Sequence, residues 1–130
     1  MMLSADQYMI TVAEVPAFYL AADGVFSADE REALTDFLAF NPLAGEVVPE
    51  TDGVRRIKWP AASQGRRSGA RVIYFFRDLN MPVYLLALYK KGERLVLSEK
   101  DKREIRRLVG ELVGVYGFQK GIALVSDGAA

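Results

Sequence analysis

Hydrophobic and polar positions alternate along Val54–Trp59 (VRRIKW), and after a small, polar, glycine-containing stretch they give way to Arg71–Phe76 (RVIYFF), apolar behind a single arginine. Residues two apart share a face of an extended chain, so Arg56 and Lys58 point one way and Ile57 and Trp59 the other. The second run reads as a central strand covered on both faces. A turn at Asp78–Met81 leads to a third strand, Val83–Tyr89, with Pro82 tolerated at its start, and the three strands form an antiparallel meander. The segments Pro42–Gly53 and Pro60–Gly69 read as loops.

Upstream, Tyr8–Ala13 is a first strand ended by Glu14 and Pro16. Pro16 suits the first turn of a helix that runs through Ala22 and stops at Gly24. Ser27 with Glu30 three residues later is a capping box; it opens a second helix with Leu34, Phe37 and Leu38 on one face, ended by Asn41-Pro42. These two helices make a helical hairpin. Downstream, Ser98 and Asp101 cap a last helix in which Ile105, Leu108, Val109, Leu112 and Val113 form an apolar face, and Lys102, Arg103, Arg106 and Arg107 lie outside it. Glycine and small residues predict a loose tail from about Gly114.

Composition narrows the chemistry. The 130 residues suit one domain, and they include no cysteine and no histidine, which removes disulfides, thiolate metal sites, most zinc sites and His-based nucleophile pairs. Net charge is zero but uneven: residues 1–52 hold one basic and ten acidic residues, residues 53–130 sixteen and seven. An acidic flank beside a basic working surface is the expectation. No apolar run is long enough for a membrane span and no leader precedes the first strand, so the expected location is the cytoplasm.

The cations Arg55, Arg56, Lys58, Arg66, Arg67, Arg71, Lys90 and Lys91 all fall on strands or adjoining loops, and no acid lies between Gly53 and Arg77. Exposed strands carry Lys and Arg for solubility and to protect edges. A merely solvated face mixes signs, however, so phosphate binding is favoured here. Tyr74, Phe75, Phe76, Tyr84 and Tyr89 read either as stacking platforms for bases or as core, with core the stronger reading for Phe75, Phe76 and Tyr84. Tyr89 is set apart by its place beside Lys90 and Lys91. With no carboxylate in the basic strands, no metal site is expected. A phosphodiester would then be cut by attack of the RNA 2′-hydroxyl on its own phosphate, with cations stabilising the charge that develops.

Four segments in order, DEREALTDFLAFNPLAGEVVPETDGVRRIKW, GRRSGARVIYFF, VYLLALYKKGER and LSEKDKREIRRLV, give the chain, over roughly Tyr8–Val113, a resemblance to the RelE/ParE superfamily of type II toxin–antitoxin toxins, most closely its RelE-type, HigB-like members. The resemblance implies an α+β fold of a helical hairpin, a twisted antiparallel sheet and a C-terminal helix packed on it. It implies a metal-independent endoribonuclease without cofactor that cleaves mRNA on the ribosome and is blocked by a cognate antitoxin. Matched to the family's motifs, Lys58 handles the proton or the leaving group, Arg71 and Lys91 hold the scissile phosphate, and Arg56, Arg66 and Lys90 position the backbone. Where some relatives carry a tyrosine at the start of the last helix this chain has Leu97, and where others use histidine it has none, so either Tyr89 substitutes or Lys and Arg act alone. A lysine base requires neighbouring cations to lower its pKa. ParE-type members of the same superfamily instead inhibit DNA gyrase by protein contact without cleavage; the fold does not choose between them, and the converging cations favour the ribonuclease.

Overall fold

The computed structural model describes residues 10–61, 66–90 and 97–128, apart from the side chains of 66–68 and 117–128. The described residues are α+β, with five strands and three helices in the order β1 (Val12–Glu14), α1 (Pro16–Asp23), α2 (Ala28–Phe40), β2 (Glu46–Val47), β3 (Val54–Ala61), β4 (Arg66–Phe75), β5 (Val83–Lys90) and α3 (Glu99–Gly128). The described residues fall into two compact units, one of residues 10–49 and 53–90, the other of Glu50–Asp52 with the chain from Leu97. No helix among them is long and apolar enough to cross a membrane.

In the first unit the strands form one sheet in the order β1-β5-β4-β3-β2. The β3-β4-β5 meander is antiparallel as expected, but the sheet is mixed, because β1 pairs parallel with β5, Val12 opposite Val83 and Glu14 opposite Leu85. The expectation of an antiparallel sheet is corrected on this point: the first strand returns to the far edge of the meander, and only a long crossover permits a parallel neighbour. β1 is also shorter than Tyr8–Ala13, whose first two residues lie outside the described ones. The loop read at Pro42–Gly53 contains β2, which pairs antiparallel with β3. Of the segment Pro60–Gly69 read as a loop, Pro60 and Ala61 belong to β3 and residues 66–69 to β4, and residues 62–65 lie outside the described ones.

Pro60 is accommodated where the β3–β4 register shifts between Trp59 and Ala61, the kind of irregularity at which a strand tolerates proline. Across from it, Gly69 has φ 75°, and a Cβ there would run into the Trp59 carbonyl, so this step of the hairpin requires glycine.

One face of the sheet is covered by α1 and α2. Phe18 and Ala22 of α1 and Leu34 and Leu38 of α2 cluster with Ala70, Val72, Tyr74, Val83 and Leu85, and Ile57 and Trp59 pack against them part-buried. β4 is the middle strand and Val72, Ile73, Tyr74 and Phe75 are all buried, which is why its sequence is apolar without alternation. Pro16 opens α1 and Gly24 caps it. The α2 capping box is complete: Ser27 Oγ accepts from the Glu30 N–H at 3.1 Å and the Glu30 carboxylate accepts from the Ser27 N–H at 2.9 Å. Trp59 Nε1 donates to the Glu30 carbonyl at 2.9 Å, and its ring lies 5.4 Å from Phe37, so β3 is tied to α2 by one side chain. Arg31 ties α2 to β1 and α1. Its guanidinium donates twice to Glu14, both at 2.9 Å, and lies 4.7 Å from the centre of the Tyr19 ring; the Glu14 bonds are the main reason its pKa is raised.

In the second unit Ser98 and Asp101 form the expected cap, each N–H answered by the other's side chain at 3.1 Å. Ile105 and Val109 are buried. Lys102 and Arg106 do not stand free on an outer face: Arg106 donates to the Glu50 carbonyl and Lys102 Nζ lies 3.9 Å from the Glu50 carboxylate. They hold a residue with φ 63°, a backbone conformation uncommon for a long side chain. The backbone of α3 continues past Gly114 to Gly128, so the expected loose tail is helical over that length.

Candidate anion-binding site

Strand register builds the site. Lys58 of β3 is opposite Arg71 of β4, and Arg71 is opposite Tyr89 of β5. Residues directly across a sheet share a face with Cβ atoms about 4.5–5.5 Å apart, so one row carries Lys58, Arg71 and Tyr89. Arg56, two residues along β3, lies on the same face and is opposite Glu46 of β2. Ala44, Gly45, Glu46, Arg56, Ile57, Lys58 and Arg71 line a pocket of about 430 Å³.

Charge within the pocket is unbalanced. Arg56 Nη2 reaches Glu46 Oε2 at 3.4 Å, with the two side chains 40% and 81% exposed, an ion pair of small energetic weight that nevertheless occupies both partners. Lys58 is exposed. Arg71 is part-buried, and its Nη1 is buried with no hydrogen-bond partner among the described residues. A guanidinium offers five N–H donors and no acceptor, and a buried donor without a partner is rare in a folded protein.

The opposite wall of the pocket is fixed from behind the sheet. The Tyr74 hydroxyl donates to the Pro42 carbonyl and accepts from the Gly45 N–H, both at 2.8 Å. Arg55 Nη1 donates to the Gly45 carbonyl at 2.7 Å and to the Leu43 carbonyl at 3.2 Å. Gly45 sits so close that an added Cβ would lie 2.8 Å from both the Arg56 carbonyl and the Tyr74 ring. Burial raises the pKa of the Tyr74 phenol, against the Gly45 hydrogen bond and the nearby Arg55 charge.

The sequence-predicted residues divide accordingly. Arg56, Lys58 and Arg71 meet in the pocket, and Tyr89 shares their face without lining it. Lys90 is opposite Ala70, which is opposite Trp59, so it belongs to the helix-covered side of the sheet and does not join Arg71. Arg55 also points to that side and is used as a strap. Tyr74 is fully buried, which selects core over base stacking for it. Arg66 begins β4, its side chain outside the described residues, and Lys91 lies outside them altogether. Glu46 does not stand out in the sequence because residues 42–53 read as loop. Its signal was the segment EVV before GVRR, which a hairpin places opposite Arg55 and Arg56 with unlike charges facing. Among the described residues no three Asp or Glu side chains gather as a metal site requires.

No known protein-family model matches the chain. The site itself offers a cation row, a guanidinium nitrogen with no partner among the described residues and one carboxylate around the cavity.

Proposed function

We propose that the protein is the toxin of a type II toxin–antitoxin pair, a RelE-type endoribonuclease that cleaves mRNA on the ribosome in the cytoplasm. The observation that carries this reading is the in-register pair Lys58–Arg71 on the pocket, with Arg71 Nη1 buried and unpartnered among the described residues. The order of two helices, a β3-β4-β5 meander and a last helix also supports a RelE-like fold.

In the proposed reaction the RNA phosphate binds at Arg71, whose free N–H takes a non-bridging oxygen and stabilises the charge that grows there. Glu46 accepts the proton of the 2′-hydroxyl as the O2′–P bond forms. Lys58 gives a proton to O5′ as the P–O5′ bond breaks, leaving a 2′,3′-cyclic phosphate and a 5′-hydroxyl. Arg56 orients Glu46, and Tyr89 supplies a ring for a flanking base. Because the attacking hydroxyl belongs to ribose, DNA is not a substrate. A cognate antitoxin is the expected partner.

Cell-free translation with purified protein, followed by mapping of mRNA 5′ ends, tests this. Cuts confined to translated regions, bearing 5′-hydroxyls and absent with Arg71→Ala, are expected. Intact mRNA with continuing translation would overturn the reading and bring gyrase inhibition forward.

A further inference from the structure

The sheet holds an electrostatic deficit that the described residues do not repair. Lys58 and Arg71 face each other across β3 and β4, and like charges directly opposite destabilise a sheet. No acid lies between Gly53 and Arg77 to separate them. The carboxylate that lines the pocket, Glu46, is engaged with Arg56 and leans out, its side chain 81% exposed. The Arg71 Nη1 adds a buried donor with no acceptor among the described residues. Each feature alone is tolerable in a folded protein; together, among the described residues, they leave two positive charges and an unmet hydrogen bond at one cavity.

The charge count discriminates between phosphates. Arg56 and Glu46 cancel, leaving two cations that no described residue neutralises. An internal phosphodiester brings one negative charge, whereas a terminal phosphomonoester brings nearly two above its second pKa of about 6 and has one more oxygen free to accept. We infer that the Lys58–Arg71 pocket binds a phosphomonoester dianion in preference to a phosphodiester, and that an RNA end or nucleoside carrying a 3′-phosphate is its high-affinity ligand. A cavity of about 430 Å³ falls in the size range of small-molecule sites and leaves room for a nucleoside beside the phosphate. The 3′ position rests on the ribonuclease reading, in which the attacked phosphate stays with the upstream ribose, first as the cyclic diester and, once water adds to phosphorus and the P–O2′ bond breaks, as the 3′-monoester; the preference for a dianion rests on the charges alone. RNA fragments ending in 3′-phosphate would then act as inhibitors that compete with intact message.

Calorimetric titration at pH 8 with adenosine 3′-monophosphate, its 3′-methyl ester and inorganic phosphate tests the inference. The monoester should bind at least about tenfold more tightly than the methyl ester, the ratio that one charge-assisted hydrogen bond supplies. It should also bind more tightly than inorganic phosphate. Arg71→Gln and, separately, Lys58→Gln should each erase the gap. Without ligand both variants should melt at or above the wild-type temperature, since each removes one of two facing cations, and added monoester should raise the melting temperature of the wild type alone. Equal affinities for monoester and methyl ester, or a gap that survives both substitutions, would overturn the dianion preference. Inorganic phosphate binding as tightly as the nucleotide would overturn the 3′-nucleotide assignment. The same preparation assayed on translated mRNA separates the two proposals: cleavage without the gap sinks only the dianion preference, and the gap without cleavage sinks the ribonuclease.

Discussion

Replacing Tyr74 by phenylalanine deletes a single oxygen atom and leaves the ring in the core, so it isolates the strap behind the pocket. That oxygen bonds to the Pro42 carbonyl and the Gly45 N–H, both at 2.8 Å. Two hydrogen bonds of about 1 kcal/mol each are lost, and the buried Gly45 N–H is left without a partner at a further cost of about 1–2 kcal/mol. A total near 3 kcal/mol corresponds to a fall of about 10 °C in melting temperature for a chain of this size. Urea and thermal unfolding followed by circular dichroism at pH 7 measure it. The pH dependence provides an independent check. The folded protein holds the phenol neutral beyond the ordinary value of 10.0, chiefly through burial. The stability from the neutral phenol is therefore complete below about pH 10 and is lost as pH rises past it, because the unfolded tyrosine ionises first and the folded one later. Phenylalanine has no such loss, so the gap between wild type and variant should narrow above pH 10. A loss under about 0.5 kcal/mol at pH 7, less than one ordinary hydrogen bond, or a gap unchanged to pH 11, would refute the reasoning.

Two further predictions concern stability. Gly69→Ala places a Cβ against the Trp59 carbonyl at φ 75° and should cost about 2 kcal/mol or more in urea unfolding; a neutral result would mean that the β3–β4 irregularity relaxes freely. Arg31→Lys keeps the charge but loses the paired donors to Glu14 and should cost about 1–2 kcal/mol. A cycle with Glu14→Gln should show that cost to be shared and not additive, and full additivity would deny the contact its role.

Local rules made much of this fold legible. Both capping boxes, the faces of β3 and the doubly buried β4 follow from spacing and residue type within a few positions. What escaped depends on partners distant in sequence. Nothing in Val12–Glu14 says that its neighbour is Val83–Leu85. Pro60 and the glycines before Arg71 suggest a loop, yet a register shift absorbs the proline and a positive φ at Gly69 lets the strand begin earlier. In the site, Arg56, Lys58 and Arg71 were readable because alternation and register are sufficient to align them. Adjacency in sequence groups Lys90 with Tyr89, although adjacent residues of a strand face opposite ways. Charge alone groups Arg55 with the site, while its hydrogen bonds to Leu43 and Gly45 give it a local duty. Glu46 needed the pairing of a strand only two residues long.

The parallel seat of β1 against β5 also sets an order of events in time. The β4–β5 connection covers residues 76–82, whereas joining β1 to β5 closes residues 15–82, a span about ten times longer that costs about 2 kcal/mol more in chain entropy. The meander that aligns Lys58 with Arg71 therefore assembles before the N-terminal edge docks on it, which requires the chain through β5 to have been made. A nascent chain would hold its cation row before its sheet is complete, with β5 exposing an unpaired edge until Val12–Glu14 arrives. That interval is when the protein is most open to aggregation through strand pairing.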